Sequence, residues 1–150
     1  LASRFEAWEA DLTADPSPPQ GFRDLDLLRL DFLPAGQSCQ VLGRLLRRGV
    51  RPRMVAMLVL SQVPPPFQYV PLAPERHPQP LFSCSLAAAS EVLARHDLFL
   101  LRLTGPYALF VRRDAWRSPL PLSELDCYRG AGVWGDKALP LPFVREWLFQ

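Results

Sequence analysis

The chain has 150 residues, enough for one domain of common size with a buried core. Its hydrophobic content of 49% and charged content of 21% are close to globular averages, which excludes a wholly disordered chain. The formal net charge of +2 is too small to indicate binding to nucleic acid or to an anionic membrane, so we expect neither partner.

The sequence begins with a segment that predicts an amphipathic helix. Apolar residues recur at helical spacing across residues 1–13, and a proline-rich loop follows. An apolar run at 25–32 comes next and predicts a buried strand that contains Asp31 near its end.

A strand–helix–strand unit follows from that run. Ser38 is a candidate cap for a helix over 39–48, which Gly49 ends. The seven uninterrupted apolar residues at 54–60 are too few for an ordinary helix and predict a strand buried on both faces. Three prolines at 64–66 stop it. The short crossover implies parallel strands and a right-handed connection.

The second half predicts one more helix and an antiparallel hairpin. A proline-broken loop leads to a helix over 85–96, with the cluster Ser83-Cys84-Ser85 as its cap. Apolar runs at 98–103 and 107–111 are separated by a junction of hairpin length. Residues 116–150 are interpreted as an irregular tail that finishes with a short helix, and the whole chain as a single domain.

Cysteine usage bears on the compartment. Cys39, Cys84 and Cys127 are an odd number without metal-binding spacing, which favours reduced thiols over a disulfide framework. No apolar run reaches transmembrane length, and residues 1–13 lack the apolar core of a signal peptide. We therefore expect a cytoplasmic protein.

Two patterns are rejected as sites. The glycines from Gly130 to Gly135 match the dinucleotide pattern GxGxxG, but no good strand precedes them and prolines follow too soon for a helix. His77 and His96 lie far apart and have no ligand partner at metal-binding spacing. A nucleophilic pair of Cys84 and His77 stays open, without positive support.

Three polar residues follow the two predicted parallel strands. Asp31 ends one strand, while Ser61 and Gln62 follow the other. Because the carboxyl ends of parallel strands meet at one edge, where open α/β sheets bind ligands, we expect the three to converge. Two interpretations of Asp31 are equally favoured by the residues. It belongs to a ligand site at this edge, or it is a solvated aspartate that only organises the turn after the strand.

Four blocks resemble, in the same order, FkbM-type S-adenosylmethionine-dependent methyltransferases. Residues 27–31 are similar to the family strand "DLLKID" and residues 51–66 to the segment "RPRVIVVEIN-x-x-IPPP" of eukaryotic and algal members. Residues 82–86 resemble the helix start "GCSL", and 108–114 resemble the ending "AIFVRRD". The match covers about residues 20–115.

The resemblance implies part of the class I methyltransferase fold, a Rossmann-like sheet with helices on its faces. The chain would be the carboxyl-terminal half, strands four to seven, with the last antiparallel between two parallel ones. The half that carries the glycine-rich loop and the acidic ribose ligand for S-adenosylmethionine would not be in this chain, so no cofactor-binding residue is expected here.

The resemblance also implies an activity and roles. Methyl transfer to a hydroxyl oxygen of a small-molecule or glycan acceptor is expected. Asp31 would act as base or acceptor ligand. Ser61 and Gln62 would position the substrate, with Tyr69 on the loop above.

Three departures favour an alternative. The family has polar residues where this chain has Leu33, Leu58 and Leu60, and leucine cannot donate, accept or ligate. The alternative is a non-catalytic methyltransferase-like remnant that acts as a protein-interaction module. We expect this chain alone to be inactive. We also expect it to self-associate through the exposed edge of the strand at 25–32 unless the helix at 1–13 covers it.

Overall fold

Four strands and three α-helices make up the described part of a computed structural model, residues 22–31, 37–71, 83–118 and 123–131. In chain order they are β1 (Asp24–Leu30), α1 (Ser38–Arg47), β2 (Arg51–Leu58), α2 (Leu86–Ala94), β3 (Leu98–Thr104), β4 (Tyr107–Arg112) and α3 (Glu124–Gly130). The α/β class is confirmed. The helices predicted at 1–13 and at the carboxyl terminus lie outside the described residues.

The strands form one mixed sheet in the order β1-β2-β4-β3. β1 and β2 are parallel, as predicted from the short crossover. β4 is antiparallel to both β2 and β3, so β1, β2 and β3 run one way and β4 runs the other. The predicted hairpin is confirmed, and its two-residue loop places Gly105 at a φ of 54°, which glycine adopts without strain.

Helix α1 begins one residue earlier than predicted. Its N-cap is Gln37, which makes no side-chain cap bond, and Ser38 is instead a buried helical residue. The predicted apolar face is buried: Val41, Leu42, Leu45 and Leu46. The helix ends at Arg47, one residue before the predicted end, and Gly49 follows the C-cap Arg48 with a φ of 87°, which suits a residue without a Cβ.

Helix α2 has the cap that the sequence indicates. The Ser85 side chain accepts a hydrogen bond from the amide of Ala88, and the helix ends at Ala94, two residues before the predicted end. Both α1 and α2 contribute to the core, on the sheet face that carries Val55 and Met57. No described helix is long and apolar enough to cross a membrane.

The two faces of β2 differ, so the prediction of a strand buried on both faces was wrong. Val55 and Met57 are fully buried. On the other face Met54 is 36% exposed, its β1 neighbour Leu27 is 48% exposed, and Leu58 is half-buried. An apolar run cannot reveal this difference, because both faces carry apolar side chains.

Two of the three cysteines form a disulfide, which corrects the expectation of reduced thiols. Cys39 in the first turn of α1 is bonded to Cys84, directly before the N-cap of α2, with a Cα–Cα distance of 6.1 Å. Cys127 is a free, half-buried thiol. The disulfide does not support the predicted cytoplasmic location, because disulfides persist mainly in oxidising compartments. The location stays a prediction.

Part of the segment predicted as an irregular tail is helix α3. Ser123 and Asp126 form a capping box, in which the Ser123 side chain accepts from the Asp126 amide and the Asp126 carboxylate accepts from the Ser123 amide. A serine followed three residues later by an acidic residue is a signature of a helix start. The residues before Gly130 are thus helical, which agrees with rejecting the dinucleotide pattern there.

Candidate functional site

The carboxyl ends of β1 and β2 lie side by side. Leu30 is paired with Met57, so Asp31 follows next to Leu58 at this edge of the sheet. The Asp31 Oδ2 atom lies 2.6 Å from Nε of Arg29, on the same strand. Its Oδ1 atom is buried and accepts no hydrogen bond. One carboxylate oxygen is therefore paired with Arg29, and the other is enclosed by the protein without a hydrogen-bond partner.

The other predicted site residues lie on the segment after β2. Ser61 is buried, Gln62 is exposed and Tyr69 is half-buried. Asp31 lies at the carboxyl ends of β1 and β2, where the segment that carries the other three residues begins. No described hydrogen bond joins the aspartate to them; its charged partner is Arg29.

A short segment, Ser83 to Ser85, fixes the chain after β2. The Ser83 hydroxyl donates to the Leu58 carbonyl, and the Leu60 amide donates to the Cys84 carbonyl at 2.8 Å. The Ser85 amide donates to the Tyr69 carbonyl, while Oγ of Ser85 accepts from the Tyr69 amide, both at 2.9 Å. Sequence reasoning identified these serines only as a helix cap.

Tyr128 of α3 is a residue that sequence reasoning missed. Its buried hydroxyl donates to the Ser61 carbonyl at 2.5 Å, across 67 positions of sequence. Burial raises the pKa of Tyr128 from 10.0 to about 12. This hydrogen bond fixes the turn that carries Ser61 and Gln62.

We expect Tyr128→Phe to lower the free energy of unfolding by roughly 1–3 kcal/mol, because the buried Ser61 carbonyl loses its partner. Since the folded-state pKa is raised, the wild type should be fully stabilised below pH 10 and lose stability towards pH 12; the variant should lack that decline. Urea unfolding measures both. Tyr107→Phe, at a more exposed tyrosine, is the control, and equal effects at both positions would contradict this role.

The leucines at the family's polar positions have different surroundings. Leu60 is buried in a small cluster with Val63, Phe67 and Tyr69. Leu58 is half-buried at the end of β2, and Leu33 lies outside the described residues. Leu60 therefore contributes to packing beneath the segment after β2.

The described residues do not form the site that S-adenosylmethionine would need. That site requires a glycine-rich turn between a strand and a helix, where backbone amides face the ligand. The described glycines lie elsewhere: Gly43 within α1, Gly49 after it, Gly105 in the hairpin and Gly130 at the end of α3. The described part of the chain also contains no group of three residues able to hold a metal ion.

Comparison of the chain with protein-family models, with curated proteins and with solved structures finds no match.

Proposed function

We propose that this chain is a methyltransferase-like α/β module of the FkbM type whose carboxyl sheet edge binds a hydroxyl-bearing acceptor. The supporting observation is the strand order, with β4 reversed between two strands that run parallel to each other. The resemblance implies this arrangement for strands four to seven of class I methyltransferases. The pairing of the strands is a different kind of observation from the similarity of the blocks, although three of the four blocks lie on the paired strands.

Asp31 is the proposed base. The Asp31 side chain is 29% exposed, and its Oδ2 atom, oriented by the Arg29 guanidinium, is the oxygen that would accept a proton from an acceptor hydroxyl, because Oδ1 is enclosed by the protein. Gln62 is exposed beyond the end of β2 and offers an amide that both donates and accepts hydrogen bonds. The contacts of Ser61 with Tyr128 and of Tyr69 with Ser85 keep that side of the site in place.

S-adenosylmethionine would supply the methyl group. Since the described residues do not form its site, the proposal assigns only the acceptor side to them. The acceptor is a small molecule or a glycan with a hydroxyl near the sheet edge, where Asp31 lies.

The test uses the product of the complete coding sequence with S-adenosylmethionine and a panel of hydroxylated acceptors. We expect Asp31→Asn to lower the rate of methyl transfer by about a hundred-fold, a size expected for loss of a general base, with donor binding unchanged. Asp26→Asn, on the same strand with a side chain 87% exposed, is the matched control. Undiminished activity in the Asp31 variant would rule out the assigned base.

A second candidate, a non-catalytic protein-interaction module, is favoured by β1. This strand pairs on one side only among the described strands, and it has no lysine, proline or bulge, although Asp24, Asp26 and Arg29 place charges on it. Leu27 and Met54 add exposed apolar surface beside it. The self-association predicted from the sequence would use this edge.

If the chain is a protein-interaction module, we expect its sedimentation coefficient to rise with protein concentration, because copies associate through β1. Leu27→Lys should weaken the association at least several-fold, because it places a charge on an edge strand. Leu125→Lys changes a similarly apolar, exposed position on α3 and serves as the control. A monomer at every concentration, or equal effects of both substitutions, would contradict an interface at β1.

A further inference from the structure

A groove between α1 and α2 leads to the disulfide. It has a volume of about 430 Å³ and is lined by Cys39, Gln40, Gly43, Arg44, Arg47, Val70, Val92, Arg95 and His96. Cys39 lies in the first turn of α1 and Arg47 is its last residue, which places them about 12 Å apart along the helix axis. Cys84 does not line the groove and is fully buried. Cys39 is 4% exposed, so the disulfide borders the groove only through Cys39.

Among the described residues, the charged side chains that line the groove are all basic. Arg44 and Arg47 come from α1, and Arg95 follows α2, beside His96. The carboxylate of Glu91 pairs with Arg95 but does not line the groove. Arginines are favourable at these positions because their positive charges interact with the negative carboxyl ends of the helices. They do not account for a disulfide at the other end of the same groove.

We propose that this groove binds an anionic low-molecular-mass thiol, which exchanges with the Cys39–Cys84 disulfide. The thiolate of the ligand attacks Sγ of Cys39, a new S–S bond forms there, and the Cys39–Cys84 bond breaks with Cys84 leaving as a thiolate that takes up a proton. A second thiol then attacks the mixed disulfide, releases Cys39 as a thiol and leaves as the oxidised ligand.

Two features favour this exchange. Cys39 is in the first turn of α1, and Cys84 directly precedes the N-cap of α2, so both lie at positive helix ends, which offset part of the cost of releasing the buried Cys84 as a thiolate. The arginines at the far end of the groove attract carboxylates of the incoming thiol. A neutral thiol gains nothing from them.

The exchange would affect the candidate site. Cys84 stands between Ser83, which bonds to Leu58, and Ser85, which is bonded twice to Tyr69. Breaking the disulfide removes the covalent link between this segment and α1 and leaves the weaker hydrogen bond from the Ser83 hydroxyl to the Ser38 hydroxyl. Hydrogen exchange at the Tyr69 and Ser85 amides should therefore increase in the mixed-disulfide form.

The test incubates the oxidised chain with reduced glutathione and follows the mixed disulfide by intact mass and peptide mapping. We expect glutathione on Cys39 and a rate about ten-fold lower in the double variant Arg47→Ala/Arg95→Ala, a size at the lower end of electrostatic steering. The rate with uncharged 2-mercaptoethanol should stay nearly unchanged. Arg53→Ala/Arg102→Ala, at exposed arginines outside the groove, removes the same charge as a control.

The salt dependence of the reaction with the wild-type chain tests the same proposal if Arg47→Ala/Arg95→Ala folds poorly. Added salt should slow the glutathione reaction and leave the 2-mercaptoethanol reaction unaffected. Three findings would each overturn the proposal: three thiols that react before any reductant is added, modification of Cys84 or Cys127 in preference to Cys39, or equal rates in the groove and control variants.

Discussion

Loss of the Cys39–Cys84 disulfide is expected to lower the free energy of unfolding by about 4 kcal/mol. The bond closes a loop across a sequence separation of 45, and the entropy removed from an unfolded chain by a loop of that size corresponds to about 4 kcal/mol. The two cysteines also join the start of α1 to the start of α2, within the main core. Local contacts in the chain do not replace that connection.

Urea unfolding of the oxidised chain, of the reduced chain and of Cys39→Ala/Cys84→Ala measures this loss. The reduced chain and the double variant should agree closely, because each lacks the same cross-link. Cys127→Ala is the control and should change stability by less, since it removes a half-buried thiol outside the disulfide. Oxidised and reduced chains of equal stability would contradict the assigned role.

Phe110→Ala should be the most damaging single core substitution, with an expected loss of about 3–5 kcal/mol from the apolar contacts and the cavity left behind. Phe110 is completely buried in β4, a central strand, and is paired with Val55 of β2 and Leu100 of β3. No one of these neighbours can fill the space, because each is held in the sheet by its own strand.

Phe99→Ala is the matched control for that substitution. Phe99 lies on β3, at the edge of the described sheet, and is only half-buried, with the Arg113 guanidinium 6.0 Å from its ring. Its replacement should therefore cost clearly less. Urea midpoints of the two variants decide the matter, and a Phe110 variant as stable as the Phe99 variant would contradict the assignment of the core.

Local patterns in the sequence were sufficient to predict most elements. Gly49 ended a helix and Ser85 began one, because their φ preference and side-chain chemistry act within one turn. β2 was harder: it begins at Arg51, ahead of Pro52, and ends at Leu58, before the apolar run is over. Pro52 is tolerated because it lies at the start of the strand.

Features that depend on distant contacts were not predictable. The disulfide joins residues 45 apart, and an odd number of cysteines gives no information about which pair is close in space. The bond from Tyr128 to Ser61 exists only because α3 packs near the end of β2. The start of α3 itself was visible at Ser123 and Asp126, but the segment was interpreted as part of an irregular tail.

The candidate site shows the same division. The sequence placed Asp31, Ser61 and Gln62 at one edge because parallel strands end together. It did not reveal that Arg29 holds the carboxylate of Asp31, since that ion pair depends on both side chains turning towards each other. Nor did it reveal that the serines before α2 fix Tyr69.

Methyl transfer by the product of the complete coding sequence tests the central claim most directly. With methyl-labelled S-adenosylmethionine and hydroxylated acceptors, mass spectrometry should find the label on an acceptor oxygen. The 150-residue chain alone should transfer none and should not bind the donor in calorimetry, because its described residues do not form the donor site. No transfer by the complete product, or micromolar donor binding by this chain alone, would contradict the proposal.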